Sequence, residues 1–267
     1  MESVRHHGRA TAYREAAGSH ADVTDTEPTV CYVHGSGGTH RVWAGQYGAG
    51  GPTGSAVAVD LSGHGESDDV DTDPGGETLD AYARDVVAVA REAGATVLAG
   101  NSLGGAVALW VALETEFDPD GLVLAGTGAK LPVTTDLREW LGDDFERAVA
   151  FLHGPDRLFH DADERVVERS TAQMRATGRA VTERDFLTCH RFDVRERLGE
   201  VETPALAVVG KYDGLTPPAY HEYLATELPD CEYAEVADAA HLAMAERPRA
   251  FGEAVSAFLD GLDCSDG

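Results

Sequence analysis

The stretch of sequence that decides the fold is TVLAGNSLGG, the ten residues from Thr96 to Gly105. Its first half is short and apolar, which is typical of a buried parallel strand. Glycines then surround Ser102, and the almost wholly apolar segment Leu103–Leu113 follows with the character of a buried helix. Glycines permit a sharp, strained turn between strand and helix, and such a turn exposes the serine hydroxyl. Ser102 is therefore predicted to be a nucleophile.

Short apolar runs alternate with amphipathic segments along the rest of the chain, which predicts an α/β fold with a largely parallel sheet. A weaker run, Glu232–Val236, is a candidate last strand, and Ala10–Ala16 is a candidate antiparallel edge strand. Helical spacing predicts one helix with its N-cap at Thr78 and its end at Gly94, and a closing helix over Pro248–Leu262. The buried strands are predicted at Thr29–Val33, Ala56–Val59, Thr96–Ala99, Leu122–Ala125 and Ala205–Val209.

The alternation of strands and helices is interrupted between Leu131 and Val201. Apolar residues recur there at helical spacing, and strand character is weak. The interruption predicts a helical insertion, residues 131–201, between two parts of one core, residues 1–130 and 202–267. Aromatic side chains at such spacings more often fill the interior of an insertion than line a pocket. This interpretation applies to Trp140, Phe151, Phe159 and Phe186.

A serine hydroxyl needs a general base, and His241 is the candidate because it follows the last predicted strand. Asp213 ends the predicted strand Ala205–Val209 and is the candidate for the carboxylate that orients the histidine. The carboxyl ends of parallel strands meet at one crevice, so the two side chains are expected to come together. The chain order serine, aspartate, histidine is the one expected of a nucleophile on such a turn. Asp238 is the alternative acid.

A glycine-rich turn, His34–Gly38, follows the first buried strand. The tetrahedral intermediate of acyl transfer needs N–H donors for its oxyanion. The backbone N–H groups of Ser36 and Leu103 are predicted to form this oxyanion hole. His34 is interpreted as structural, because His241 already provides the base.

The ordered segments HGSGG, DLSGHGESD, GNSLGG, GKYDGLTPP and AAHLAMAERP resemble the α/β-hydrolase superfamily, in its branch of serine esterases, lactonases and C–C hydrolases. The resemblance extends from about Ala10 to Leu262. It implies an α/β-hydrolase fold with a mostly parallel sheet of eight strands flanked by helices. It also implies a helical cap, the insertion 131–201, between strands six and seven, and a loop-ordering role for His64.

The resemblance further implies hydrolysis of a small-molecule carboxylic ester by a Ser-His-Asp triad, with neither a cofactor nor a metal ion. Haloalkane dehalogenases and epoxide hydrolases of the superfamily use an aspartate nucleophile, so the serine at position 102 argues against both. C–C hydrolases, acyltransferases and cofactor-free haloperoxidases share the triad and stay open as alternatives. So does a non-catalytic ligand-binding protein, because fold alone does not fix function.

Charge and hydropathy restrict the partners and the compartment. The 267 residues include 47 Asp and Glu against 21 Lys and Arg, a net charge of -26, which argues against a nucleic-acid partner. No apolar run is long enough to cross a bilayer, and no signal-peptide core is evident. A cytoplasmic protein, monomer or homodimer, without a membrane partner is therefore expected.

The cysteines form no CxxC pair and are expected to be free thiols: Cys31, Cys189, Cys231 and Cys264.

The acidic residues are spread along the chain, and only Lys130 and Lys211 are lysines. This pattern resembles proteins of salt-accumulating halophilic microbes. We expect the melting temperature to rise between low and molar potassium chloride, because salt screens the repulsion among the carboxylates. Thermal unfolding across a potassium chloride series measures this, and a melting temperature indifferent to the salt would contradict it.

Overall fold

The computed structural model describes residues 1–16, 28–47 and 54–263. The strands in these ranges are β1 (Glu2–His6), β2 (Arg9–Ala16), β3 (Val30–Val33), β4 (Ala56–Val59), β5 (Val97–Asn101), β6 (Gly121–Ala125), β7 (Ala205–Gly210) and β8 (Cys231–Val236). They form one eight-stranded sheet in the order β1-β2-β4-β3-β5-β6-β7-β8. The pairs β1–β2 and β2–β4 are antiparallel, and every other pair is parallel.

The helices of the described part of the chain are α1 (Ala44–Tyr47), α2 (Gly76–Ala93), α3 (Leu103–Glu114), α4 (Thr135–Asp143), α5 (Phe145–Leu152), α6 (Glu164–Thr177), α7 (Arg179–Arg191), α8 (Pro218–Glu227), α9 (Ala243–Glu246) and α10 (Pro248–Asp263). Two 3₁₀ turns span His40–Trp43 and Arg195–Glu200. None of these helices is long and apolar enough to cross a membrane.

Successive side chains of a strand point to opposite faces of the sheet. Both faces of this sheet are buried, each in its own apolar core. In β3, Cys31 and Val33 belong to the core that includes Val86 of α2 and Val107 of α3. Val30, the first residue of the same strand, belongs to the opposite core with residues of α10. This two-sided burial explains why the central strands are continuous apolar runs.

The predicted fold, a mostly parallel eight-stranded sheet flanked by helices, is confirmed. Helices α4 to α7 lie between β6 and β7, where the helical insertion was expected. The cysteines Cys31, Cys189 and Cys231 are free thiols, and Cys264 lies outside the described residues.

Two local predictions are wrong. The segment around Ala10–Ala16 is not the edge strand, because β1 pairs with its outer side. The residues of β1 are mostly exposed and carry no apolar signal that sequence reasoning could use. Thr78 is not an N-cap either, since α2 begins at Gly76. The Thr78 hydroxyl instead donates to the carbonyl oxygen of Asp73 at 2.8 Å and fixes the preceding loop.

Candidate active site

Ser102 occupies the turn between β5 and α3 with φ 55° and ψ -116°, a strained backbone conformation for a residue other than glycine. Two hydrogen bonds connect the turn to the end of β6 and the residues that follow it. The Ser102 N–H donates to the carbonyl oxygen of Ala125 at 2.9 Å. The Thr127 hydroxyl donates to the Ser102 carbonyl oxygen at 2.8 Å. A Cβ on Gly100 would overlap the carbonyl of Gly104, so the strand can turn into the helix here only with glycine.

Asp213 follows β7, and His241 lies in the loop after β8. The two side chains meet, with Asp213 Oδ2 2.9 Å from His241 Nδ1, although 28 residues separate them in the sequence. Both are buried, with 3% and 4% of their surface exposed. When Nδ1 donates to the carboxylate, Nε2 is the unprotonated nitrogen that can accept a proton. Asp238, the alternative acid, is exposed.

The Asp213 carboxylate is held by the residues that follow it. The N–H groups of Leu215 and Thr216 both donate to Oδ1 at 2.8 Å, and the Thr216 hydroxyl donates to Oδ2 at 2.8 Å. Burial raises the pKa of Asp213, but the His241 imidazole and these hydrogen bonds outweigh it and hold the pKa below its ordinary value. Sequence reasoning missed Thr216. An aspartate that accepts N–H groups two and three residues on is a common turn pattern and was the available signal.

The stability that Asp213 contributes is expected to depend on pH. Its folded pKa is lowered, so the contribution is complete above about 3.9, the pKa of an unfolded aspartate, and is lost as the pH falls through the folded value. The free energy of unfolding of Asp213→Asn should therefore approach that of the wild type as the pH is lowered from about 5 to about 2, through the unfolded and then the folded pKa. Urea unfolding of both proteins across this range measures the difference. A difference that grows toward acid pH would contradict the expectation.

The two predicted oxyanion donors lie next to Ser102. Ser36 belongs to the turn after β3, and a Cβ on the preceding Gly35 would lie 3.0 Å from Ser102 Cβ. Leu103 is the first residue of α3. Its N–H has no carbonyl four residues earlier within the helix and is free by geometry to face a ligand, at the positive end of the helix dipole. Ser36 and Ser102 both line one cavity.

Asp185, a residue of helix α7 in the insertion, binds the turn that carries Ser36. Asp185 Oδ2 accepts from the N–H of Gly37 at 3.2 Å and lies 2.9 Å from His64 Nε2. Its Oδ1 accepts from the hydroxyl of Tyr82 at 2.7 Å. His64 Nδ1 lies 3.2 Å from the carbonyl oxygen of Ser62, so both ring nitrogens face acceptors. This arrangement fits a protonated His64 that forms a buried ion pair with Asp185.

The pKa shifts of this pair agree with its geometry. Burial lowers the pKa of His64, yet the Asp185 carboxylate more than compensates and raises it. Burial likewise raises the pKa of Asp185, and His64 with the hydroxyl of Tyr82 brings it below its ordinary value. Sequence reasoning missed Asp185, because 148 residues separate it from Gly37 and no local pattern marks it.

His34 lies behind the same turn and is neutral. Burial lowers its pKa to about 4. Its Nδ1 lies 2.8 Å from the carbonyl oxygen of Gly35, and its Nε2 accepts from the N–H of Leu61 at 3.1 Å. Both ring nitrogens are thus engaged with backbone atoms, which leaves His34 a structural part of the turn.

The insertion is bonded to the loops that carry the acid and the base. The N–H of Gly214, next to Asp213, donates to the carbonyl oxygen of Asp156 at 2.9 Å. The N–H of His241 donates to the carbonyl oxygen of Arg157 at 3.2 Å. Because one short segment contacts both loops, the position of the insertion and the position of the Asp213–His241 pair depend on each other.

A cavity of about 970 Å³ has Ser102 and His241 in its wall. Residues of α4 to α7 and of their connections supply much of the rest. Phe151, Phe159 and Phe186 line the cavity and also pack in the apolar core beside it, so they have both of the roles that sequence reasoning separated. Trp140 packs against Phe151 with ring centroids 5.2 Å apart. The apolar interior of the insertion is largely the cavity wall, and helical spacing alone cannot separate the two roles.

No group of three or more His, Cys, Asp or Glu side chains in the ranges that the structure describes is arranged to hold a metal ion. The site itself supplies side chains and backbone groups for chemistry. It offers a hydroxyl on a strained turn, a buried imidazole paired with a carboxylate, and adjacent N–H donors. That set of groups suits acyl transfer.

Comparisons with known proteins found a matching family and similar chains. A model described as the alpha/beta hydrolase family matches residues 32–254. A pimeloyl-[acyl-carrier protein] methyl ester esterase of Neisseria meningitidis is 28% identical over 89% of this chain and 78% of its own length. 3-oxoadipate enol-lactonase 1 of Acinetobacter baylyi is 24% identical over 89% of this chain and 91% of its own. The solved structure of a thermophilic esterase has a TM-score of 0.84 and 30% identity, over 98% of this chain and 97% of that one.

Proposed function

The chain belongs to the α/β hydrolase family, and we propose that it hydrolyses carboxylic esters of small molecules through an acyl-enzyme on Ser102. The observation that carries the proposal is the buried Asp213–His241 pair, 2.9 Å apart, whose His241 lines the same cavity as the strained Ser102. The named activities of the relatives, a methyl ester esterase and an enol-lactonase, support an ester as the substrate.

In the first half of the reaction, Ser102 Oγ attacks the ester carbonyl carbon while His241 Nε2 accepts the hydroxyl proton. The carbonyl oxygen becomes an oxyanion, and the Asp213 carboxylate stabilises the imidazolium. The C–O bond to the alcohol then breaks, and His241 returns the proton to the departing alkoxide. The products of this half are the free alcohol and an acyl group on Ser102.

In the second half, water attacks the acyl carbonyl and gives its proton to His241, which passes it to Ser102 Oγ as the acid leaves. The N–H groups of Ser36 and Leu103 donate to the oxyanion in both halves. Such donors stabilise the charge that develops in the transition state, and one of them typically contributes a factor of about 10² to 10³ in kcat. These steps use side chains, backbone and water alone.

In this proposal the insertion, residues 131–201, is a cap that selects the substrate. Three aromatic residues of the insertion line the cavity, and the carbonyl of Arg157 is bonded to the N–H of the base, His241. The shape of the acid or alcohol part of the ester would therefore be selected by cap side chains, while the chemistry stays on the core.

The experiment that tests the proposal measures hydrolysis of p-nitrophenyl esters from acetate to octanoate in molar potassium chloride. The wild type should release p-nitrophenol with saturable kinetics, and Ser102→Ala should not exceed the background rate. Absence of serine-dependent turnover across the whole panel would overturn the esterase proposal. Cleavage of a vinylogous 1,5-diketone under the same conditions would then identify a C–C hydrolase, and binding without turnover would identify a non-catalytic protein.

A further inference from the structure

The charged residues in the wall of the cavity have the opposite sign to the chain as a whole. The sequence contains 47 acidic and 21 basic residues, for a net charge of -26. Among the described residues, the cavity wall has no Asp or Glu, and its permanently charged side chains are Arg41, Arg157 and Arg169. An anion that enters the cavity thus meets positive charge in a protein whose overall charge repels it.

The three arginines come from three separate segments. Arg41 lies in the 3₁₀ turn after β3, Arg157 in the connection after α5, and Arg169 on α6. None of them pairs with a carboxylate of the described part of the chain, whereas Arg175 of the insertion pairs with Glu146 at 2.7 Å. Their positive charge is therefore available to a ligand.

Arg157 is held in the wall by contacts on two sides. Its guanidinium carbon lies 3.7 Å from the centroid of the Phe151 ring, and its carbonyl oxygen accepts the N–H of His241. Stacking uses the flat face of the guanidinium and leaves the N–H groups in its plane for an acceptor. Arg41 and Arg169 are exposed as well as part of the wall, so they mark the open side of the cavity.

We propose that the substrate is an ester that also carries a carboxylate, and that these arginines bind the carboxylate while Ser102 attacks the ester. The inference rests on the proposed esterase function and names its substrate class. A carboxylate presents two coplanar oxygens that match the fork of a guanidinium, and charge-assisted pairs of this kind are stronger than neutral hydrogen bonds. The aromatic and aliphatic parts of the wall contact the chain that separates the two groups.

The first experiment compares two esters of equal length that differ in one group. Monomethyl suberate carries a free carboxylate, and methyl 7-carbamoylheptanoate carries a neutral amide in its place. At one fixed potassium chloride concentration, kcat/KM should favour the charged ester by about tenfold. The adipate and sebacate half-esters with their carbamoyl counterparts repeat the comparison, so that chain length cannot hide the preference.

The second experiment changes the arginines. Arg157→Gln, and the double variant Arg41→Gln/Arg169→Gln, should reduce the ratio of the two kcat/KM values toward one. Arg165→Gln is the matched control, because Arg165 is exposed on α6 one turn before Arg169 and does not line the cavity. The control should keep the wild-type ratio. An equal loss in the control would mean that general charge, rather than the cavity arginines, sets the preference, and would overturn the inference.

A third experiment does not depend on turnover. Suberate should raise the melting temperature of Ser102→Ala, suberamide should not, and the rise should vanish when Arg157→Gln is added. Serine-dependent hydrolysis without a preference for charged esters would overturn the inference and leave the proposed function intact. Suberate binding that requires Arg157, without hydrolysis of any ester, would overturn the proposed function and support the anion site. Failure of both measurements would overturn both proposals.

Discussion

Replacing Ser102 with alanine is expected to lower kcat for an ester substrate by about 10⁶-fold, because alanine removes the atom that forms the acyl bond. His241→Ala should cause a loss of similar size, since the hydroxyl is a weak nucleophile without its base. The double variant should be no slower than either single variant, because the groups act as a unit. Steady-state kinetics with one p-nitrophenyl ester measure all three.

The two candidate carboxylates provide the control for this prediction. Asp213→Asn should lower kcat by about 10⁴-fold, because the amide no longer selects the tautomer and charge state that the base needs. Asp238→Asn changes an exposed residue after β8 and should leave kcat within about twofold of the wild type. A large loss in Asp238→Asn, with Asp213→Asn unaffected, would contradict the arrangement of the site.

Replacing Asp185 with leucine is expected to destabilise the protein by about 3–5 kcal/mol, because it leaves the His64 charge buried without a partner. The N–H of Gly37 and the hydroxyl of Tyr82 would lose their acceptor as well. Urea unfolding at pH 7 measures the loss, and Asp185→Asn should lie between leucine and the wild type, since its amide oxygen can still accept from Gly37.

Glu183→Gln is the matched control for Asp185, because Glu183 lies on α7 two residues earlier and is only partly buried. Its free energy of unfolding should stay within about 0.5 kcal/mol of the wild type. If Asp185→Leu were as stable as the wild type, His64 and Asp185 would not be a charged pair. The Ser36 turn would then not depend on α7 for its position.

The parts of the site that follow from local chemistry could be predicted from the sequence. Gly100 is required by the backbone of Gly104, four residues later, so the sequence pattern and the structure report the same local constraint there. Gly104 is required by the close approach of the Val33 carbonyl, which lies on strand β3. Asp213 and His241 could be predicted because the ends of parallel strands meet at one edge, whatever the loops between them do.

The parts that depend on contacts between distant segments could not be predicted. Asp185 is one of many acidic residues in the sequence, and only the folded chain brings it to His64 and Gly37. The positive charge of the cavity wall could not be predicted for the same reason, because Arg41 and Arg169 are far apart in the sequence. The strand β1 was missed because its exposed residues need no apolar pattern.

The most direct test of the central claim is to locate the covalent intermediate. Diethyl p-nitrophenyl phosphate, which phosphorylates activated serines, should release one equivalent of p-nitrophenol. Intact mass measurement and peptide mapping should then find a single diethylphosphoryl group on Ser102, and none in Ser102→Ala. A stable adduct on another residue, or ester hydrolysis that survives full modification of Ser102, would contradict the assignment of Ser102 as the nucleophile.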